Sequence, residues 1–217
     1  PRGGGPGPRL VLVHGFTQAA TCWGAFAPAF ETSHHVVAVD LPGHGDAAGI
    51  VASFPQTVDL VADAGGTGCY LGYSMGARVC LAVALAHPER VQHLVLLSGS
   101  AGLRDPAERA ARRDADDALA ARLEGMGIDA FLDEWLAGPL FETLSPIDAG
   151  LEQRRSNTAA GLSSSLRTCG TGQQPDLWPR LTELRVPVLV VTGALDARYG
   201  SIGEEMGQAI GPTARHV

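Results

Sequence analysis

The segment GYSMG (residues 72–76) lies between an apolar run that ends at Leu71 and a helix-like run over residues 77–86. Glycines on both sides of a serine, between a strand and a helix, are typical of a nucleophile elbow, a tight turn that exposes the serine hydroxyl. Small residues are needed there because the strand and the helix approach each other closely. The segment predicts a catalytic role for Ser74. The alternative is an ordinary strand-to-helix turn that contains a serine.

Short apolar runs recur on both sides of this segment, as expected for parallel strands that are buried on both faces. Helix-like segments separate them, among them residues 21–30, whose apolar spacing predicts an amphipathic helix with Trp23, Phe26 and Phe30 facing inward. The alternation predicts an α/β fold with a doubly wound, mostly parallel sheet, in which ligands bind at the carboxyl ends of the strands. The predicted strands are residues 10–13, 36–39, 69–71, 94–97 and 186–191.

Composition limits the classes of partner. The 217 residues are 45% hydrophobic, enough to bury the core of one domain, with room for an inserted subdomain. All 16 basic residues are Arg, and 23 acidic residues bring the net charge to −7, which argues against nucleic acid and anionic membranes as main partners. No apolar run approaches the roughly 20 residues that span a bilayer, and the first residues are not a signal peptide.

Four cysteines are present, without a CxxC pair or a histidine spacing typical of zinc. They are interpreted as free thiols in a reducing compartment. The sequence therefore predicts a soluble, cytoplasmic protein without a metal or another cofactor, and it gives no indication of oligomeric state.

The first predicted strand ends in the sequence HGFT (residues 14–17). In an α/β hydrolase, the loop after this strand supplies one N–H of the oxyanion hole, and the residue after the nucleophile supplies the other. Phe16 and Met75 would hold these positions. His14 is interpreted as a turn residue rather than as the catalytic base.

The pattern changes between residues 102 and 180, where apolar strands disappear and helices with charged faces replace them. We interpret 102–180 as a helical lid, inserted into a core formed by 1–101 and 181–217, that roofs the Ser74 pocket and excludes water. Its predicted helices are one capped at Asp105-Pro106, one over 129–136 and one that starts at Ser145-Pro146, carries Ile147 and Leu151, and continues into Arg154 or Arg155.

The last predicted strand is followed by Asp196, in the position of the acid in a Ser…Asp…His chain order. This carboxylate would orient the histidine and stabilise its charged form. The alternative is an aspartate that caps a turn. The base is expected in a loop after one more strand, and His216-Val217 has the character of the start of that strand. No histidine is assigned as the base, and we expect either a shortened sequence or an incomplete hydrolase.

Six motifs together resemble one enzyme family, the 2-succinyl-6-hydroxy-2,4-cyclohexadiene-1-carboxylate (SHCHC) synthases of menaquinone biosynthesis. The resemblance covers nearly the whole chain from Leu10 to Val217. The motifs that contain His14, Asp40 and Ser74 are shared widely among α/β hydrolases. The arginine after the elbow and the arginine motifs between residues 102 and 180 are much more specific. The motifs are LVLVHGFTQ (10–18), DLPGHG (40–45), GYSMGAR (72–78), ERAARR (108–113), EWLAGPLF (134–141) and RRSN (154–157).

The resemblance implies an α/β-hydrolase fold and a cofactor-free lyase that eliminates pyruvate from a cyclohexene polycarboxylate. In that family, a serine activated by a Ser-Asp-His triad is thought to act as a base, without an acyl-enzyme. A substrate with several carboxylates needs fixed cations, and guanidinium groups bind carboxylates in a bidentate manner. By position, the resemblance implies that the substrate-binding residues are Tyr73, Arg78, Arg112, Trp135 and Arg155.

The residues themselves support these arginines to different degrees. Arg78 lies four positions after Ser74, one helical turn beyond it on the same face. Arg112 has an alternative as the ion-pair partner of Glu108 or Asp116 on a solvated helix face. The choice of Arg155 over its neighbour rests on the RSN match alone, and a surface position is the alternative.

Three hypotheses follow. The leading one is the lyase, with a small anionic polycarboxylate as its substrate. The second is a serine esterase or C–C bond hydrolase that uses Ser74 as a nucleophile. The third is a non-catalytic ligand-binding protein of the same fold, suggested by the unassigned base.

Overall fold

A computed structural model describes residues 4–145 and 149–217 of the chain. A six-stranded parallel sheet organises these residues, in the order β2-β1-β3-β4-β5-β6. The doubly wound sheet predicted from the apolar runs is therefore confirmed. The strands are β1 (Arg9–Val13), β2 (His35–Val39), β3 (Gly68–Tyr73), β4 (Val91–Leu97), β5 (Val188–Val191) and β6 (Ala214–His216).

The strand order places the loops of interest together. From β1 the chain moves outward to β2 and then returns to β3 on the other side of β1, so the order reverses between β1 and β3. Loops that leave two such strands diverge and open a crevice at the carboxyl edge of the sheet. Val13 pairs with Gly72 at that edge, which brings the loop after β1 beside the elbow after β3.

Helices cover the sheet and are joined to it by a large apolar core. In α3, which follows the elbow, every residue from Met75 to Leu85 is buried, because the helix packs against the sheet and against α2. The helices are α1 (Phe26–Phe30), α2 (Phe54–Gly65), α3 (Met75–Ala86), α4 (Pro106–Met126), α5 (Ile128–Leu136), α6 (Leu151–Arg154), α7 (Ala159–Cys169) and α8 (Ala197–Ile210).

The helix that the sequence indicates over residues 21–30 is not continuous, and that expectation is wrong. A 3-10 turn over Ala20–Trp23 comes first, and the short α1 follows. Gly24 separates them with a φ of 47°, a backbone conformation that interrupts a right-handed helix. Phe26, expected to point inward, is 41% exposed.

Helices α4 to α7 lie between β4 and β5 and are called the helical insertion below. As predicted, Asp105 caps α4, with its carboxylate accepting from the N–H of Ala107 at 2.7 Å. Leu123, Phe131 and Leu162 form a separate apolar cluster within the insertion. The predicted start of the third helix, at Pro146 and Ile147, lies outside the described residues.

No helix in the described part of the chain is long and apolar enough to cross a membrane.

Candidate active site

The elbow has the strained geometry that its motif predicts. Ser74 has φ 52° and ψ −109°, a conformation that residues other than glycine rarely adopt. Its N–H donates to the oxygen of Leu97 on the neighbouring strand at 2.8 Å. A methyl group on Gly76 would collide with the backbone oxygen of Val13 and lie 2.6 Å from that of His14. Small residues are therefore required where α3 crosses β1.

The predicted oxyanion-hole residues lie beside the serine. The loop after β1 is a turn closed by Gly15, which accepts from the N–H of Gln18 at 3.2 Å and donates to its side-chain oxygen at 2.9 Å. Phe16 lies inside this turn, and its N–H takes no part in these bonds. Met75 is the first residue of α3, so its N–H has no partner within the helix and lies at the positive end of the helix dipole.

Ser74 opens into a cavity of about 270 Å³. The cavity contains several of the residues selected from the sequence, together with others that were not, among them Arg198 and Tyr199. Three guanidinium groups line it, which gives the space beside the serine a positive character. Its lining includes Phe16, Ser74, Met75, Arg78, Arg112, Trp135, Arg198 and Tyr199.

Arg78 is the most buried cation of this cavity, with 7% of its surface exposed. It donates to the backbone oxygen of Cys169 at 3.2 Å and to the side-chain oxygen of Gln174 at 3.4 Å. No carboxylate forms an ion pair with it among residues 4–145 and 149–217. Burial lowers the pKa of this guanidinium from its ordinary value. A buried cation bonded only to neutral groups is suited to receive an anion.

Arg112 also lines the cavity, and it is held in place by Asp116 one turn later in α4. Its Nε donates to the Asp116 carboxylate at 2.8 Å. The ion pair with Asp116, which the sequence offered as an alternative role for Arg112, therefore exists. Arg112 lines the cavity as well. Arg198, in the first turn of α8, is exposed and supplies the third guanidinium.

Trp135 and Tyr73, two other predicted pocket residues, lie in different places. Trp135 lines the Ser74 cavity, with its ring 5.5 Å from that of Phe16. Tyr73 instead lines a neighbouring cavity of about 580 Å³, together with His14 and Arg154. Burial raises the pKa of the Tyr73 phenol.

The two adjacent arginines of the RRSN motif point in opposite directions. Arg155 is exposed and pairs with Asp129 at 3.0 Å and Glu152 at 2.6 Å. It does not line the Ser74 cavity. Arg154 is 3% exposed and points inward. The resemblance implies a substrate contact for Arg155, but the structure does not place this side chain in the Ser74 cavity. The end of α6 directs it toward acidic neighbours at the surface.

Asp196 follows β5 at the carboxyl edge of the sheet and also caps α8, since its carboxylate accepts from the N–H of Tyr199 at 3.0 Å. His216 lies in β6, where its Nε2 is 2.8 Å from the hydroxyl of Thr192. No histidine within the described ranges forms a hydrogen bond to Ser74. The base of the predicted triad is accordingly not assigned.

Two other histidines near the elbow are structural and neutral. Burial lowers the pKa of His14 to about 4; its Nδ1 donates to the oxygen of Gly15 at 2.8 Å, and its Nε2 accepts from the N–H of Leu41 at 3.1 Å. Burial, and then the proximity of His14, lower the pKa of His44 to about 3. The interpretation of His14 as a turn residue agrees with these bonds.

Comparison with known proteins agrees with this geometry. The alpha/beta hydrolase family matches residues 10–216, and the chain therefore belongs to the alpha/beta hydrolase family. Within it, the chain is 34% identical to 2-succinyl-6-hydroxy-2,4-cyclohexadiene-1-carboxylate synthase of Enterobacter sp. (strain 638), over 94% of this chain and 83% of that one.

Two solved structures are also similar. The structure of MenH from S. aureus has a TM-score of 0.89 at 32% identity and covers 97% of this chain and 84% of that chain. A thermophilic esterase from Thermogutta terrifontis has a TM-score of 0.81 at 25% identity and covers 100% of this chain and 82% of that chain. These findings confirm the resemblance inferred from the motifs.

Proposed function

We propose that this chain is a lyase that eliminates pyruvate from a cyclohexene polycarboxylate and forms 2-succinyl-6-hydroxy-2,4-cyclohexadiene-1-carboxylate in menaquinone biosynthesis. The observation that carries the proposal is the group of three guanidiniums, Arg78, Arg112 and Arg198, around a strained elbow serine. An ester with one acyl group needs no such set of cations. A substrate with several carboxylates needs a cation for each carboxylate that becomes buried in the site.

The proposed chemistry is a proton transfer followed by loss of a leaving group. Ser74 removes a proton from the ring, and the electrons of that C–H bond delocalise onto the ketone oxygen of the succinyl group. They return to the ring, where the existing double bond shifts and a second one forms while the C–O bond to the pyruvate unit breaks. The departing enolate takes up the proton held by the histidine and becomes pyruvate. The N–H groups of Phe16 and Met75 stabilise the intermediate oxyanion. Ser74 must first pass its proton to a histidine, which Asp196 would orient.

Four further residues that line the cavity have a proposed role in this reaction. Arg78 binds a carboxylate one helical turn from the serine, and Arg112 and Arg198 bind the others nearer the entrance. Trp135 closes the apolar side of the ring pocket. Because Arg112, Trp135 and other residues of the helical insertion line the cavity, we propose that the insertion is the lid over Ser74 and excludes water from the intermediate.

We also propose that the protein acts in the cytoplasm on this small anionic substrate and that it uses no metal or other cofactor. Its four cysteines are free thiols in the structure, which is consistent with a reducing compartment. In the described ranges, no group of three or more His, Cys, Asp or Glu side chains could hold a metal ion.

The decisive experiment measures pyruvate release from the cyclohexene polycarboxylate by coupling it to lactate dehydrogenase, with purified full-length protein. We expect turnover that is lost in Ser74→Ala and is at least 100-fold greater in kcat/KM than hydrolysis of p-nitrophenyl acetate (about 3 kcal/mol).

The similarity to an esterase structure supports a serine hydrolase as the second candidate. A burst of p-nitrophenol with labelling of Ser74, without release of pyruvate, would favour that candidate and refute the lyase. Tight binding of the polycarboxylate without release of either product would instead support the ligand-binding alternative.

A further inference from the structure

A strained residue lies next to Phe16 in the loop after β1. Thr17 has no exposed surface and a φ of 66°, although it is β-branched. Such a backbone conformation persists only where the surrounding structure holds it. The groups that hold Thr17 belong to Arg154 and Asn157, 137 and 140 residues later in the chain.

Asn157 forms hydrogen bonds through both the nitrogen and the oxygen of its side-chain amide, and only 3% of its surface is exposed. Its Nδ2 donates to the backbone oxygen of Thr17 at 2.8 Å, and also to those of Arg154 at 3.0 Å and Gln18 at 3.3 Å. Its Oδ1 accepts from the N–H of Gly45 at 2.8 Å. One side chain therefore joins the loop after β1, the loop after β2 and the helical insertion.

Arg154 makes the second link. Its Nη1 donates to the hydroxyl of Thr17, and its Nε donates to the backbone oxygen of Ala149 at 2.7 Å. Its guanidinium also lies 5.9 Å from the ring of Phe141. All of these partners are neutral, and no carboxylate pairs with Arg154 within residues 4–145 and 149–217. The loop and the insertion thus orient this cation.

We propose that Asn157 and Arg154 are positioning residues that hold the oxyanion-hole loop, through Thr17, in the shape that directs the N–H of Phe16 toward Ser74. The bonds to its backbone oxygen and to its hydroxyl fix the peptide group after Thr17 and the side chain of Thr17, and so restrain the backbone that leads back to Phe16. Without these bonds the strained φ relaxes, and the N–H of Phe16 moves with it. The helical insertion therefore organises the loop on the catalytic edge as well as covering the cavity.

The side chain of Phe16 is also held by the helical insertion. Its ring makes edge contacts with Phe131 at 6.5 Å and with Trp135 at 5.5 Å, both on α5. The insertion thus holds the backbone of the loop through Thr17 and the ring of the adjacent residue through α5. A shift of the insertion would affect both supports of the oxyanion hole together.

The first test does not depend on the proposed function. Amide hydrogen exchange of full-length protein is followed by mass spectrometry on a peptide that covers residues 14–18. In Asn157→Ala we expect exchange of this peptide to accelerate by about tenfold or more, while peptides from β3 and β4 keep their wild-type rates. Ser156→Ala is the matched control, because Ser156 is exposed and its hydroxyl donates to the backbone oxygen of Gln153.

The second test is kinetic and rests on the proposed function. Asn157→Ala should lower kcat for pyruvate release by about 10- to 100-fold, with KM within about threefold of wild type, since a misplaced oxyanion donor weakens the transition state more than the ground state. If that variant does not fold, Thr17→Ala should lower kcat by the same route. Thr17→Ser should restore it, because serine keeps the hydroxyl that Arg154 binds.

The outcomes separate the two proposals. Unchanged exchange in residues 14–18, or a rise in KM at constant kcat, would overturn the positioning role even if wild-type protein releases pyruvate. Equal kcat values in Thr17→Ala and Thr17→Ser would overturn the part played by Arg154. Accelerated exchange in a protein that releases no pyruvate would retain the positioning role and reject the lyase.

Discussion

The buried histidines beside the elbow predict a specific loss of stability in acid. An unfolded chain protonates His14 and His44 near pH 6.5, whereas the folded protein does so only near pH 4 and pH 3. Between these values the unfolded state binds more protons, so the free energy of unfolding falls as the pH is lowered from 6.5 toward 4. Above pH 6.5 both states hold neutral histidines, and the two residues add no pH dependence.

The size of the effect follows from the same pKa values. Lowering the pH from 7.5 to 5 should cost about 2 kcal/mol through each histidine, or about 4 kcal/mol for both. This is a large part of the 5 to 15 kcal/mol typical of a domain. The rings lie 5.0 Å apart, so the two contributions are coupled rather than strictly additive.

Urea unfolding followed by circular dichroism at pH 7.5 and pH 5 measures this loss. His14→Gln should reduce the pH dependence by about 2 kcal/mol, since an amide can serve both hydrogen-bond partners of His14 but does not titrate. His44→Gln should do the same. His93→Gln is the matched control substitution, because His93 is exposed. Identical pH dependence in wild type and both buried variants would refute the assignment of neutral, buried imidazoles.

Four further substitutions test the site. Arg78→Met should lower kcat/KM for pyruvate release by about 30-fold or more while changing the free energy of unfolding by less than about 1 kcal/mol, because it removes a buried cation without a carboxylate partner among the described residues. A large loss of stability would contradict this. Ser74→Gly should be inactive yet about 1 kcal/mol more stable to urea than Ser74→Ala, because glycine relieves the strained φ; equal stabilities would argue against strain. Gly76→Ala should lose about 3 kcal/mol in urea unfolding, because its methyl meets the oxygen of Val13. Arg155→Ala should change KM by less than about twofold, as expected of an exposed ion pair, and a tenfold rise would restore the role implied by the resemblance.

Local signals predicted most of the sheet because a strand buried on both faces must be apolar along its whole length. They also predicted the start of α4, where the Asp105 cap and Pro106 act within a few residues of one another. The same reasoning failed over residues 21–30. Apolar spacing favoured one helix there, but the left-handed conformation of Gly24 divides the segment.

Some residues of the candidate site could be predicted from local sequence signals, and others could not. Ser74, Met75 and Arg78 could be placed from the sequence, because the elbow and the helical spacing of four residues fix their relative positions. Arg198 was not selected, although its position two residues after Asp196 in the chain was an available signal. Asn157 lies within the RRSN motif, and nothing in its neighbours indicates that its amide reaches Gly45.

The sequence by itself determined the parallel α/β core, the elbow serine, its buried arginine and the family, because each depends on short-range patterns that hold in any context. Only the tertiary structure decided which arginine of the 154–155 pair points inward, that Tyr73 and Ser74 face different cavities, and that Thr17 is held from the helical insertion. The physical reason is that these features depend on packing between segments that are far apart in the chain, about 140 residues apart for the bonds between Thr17 and the insertion. A side chain in a short helix such as α6 takes its direction from what lies against it, and local propensity does not contain that information.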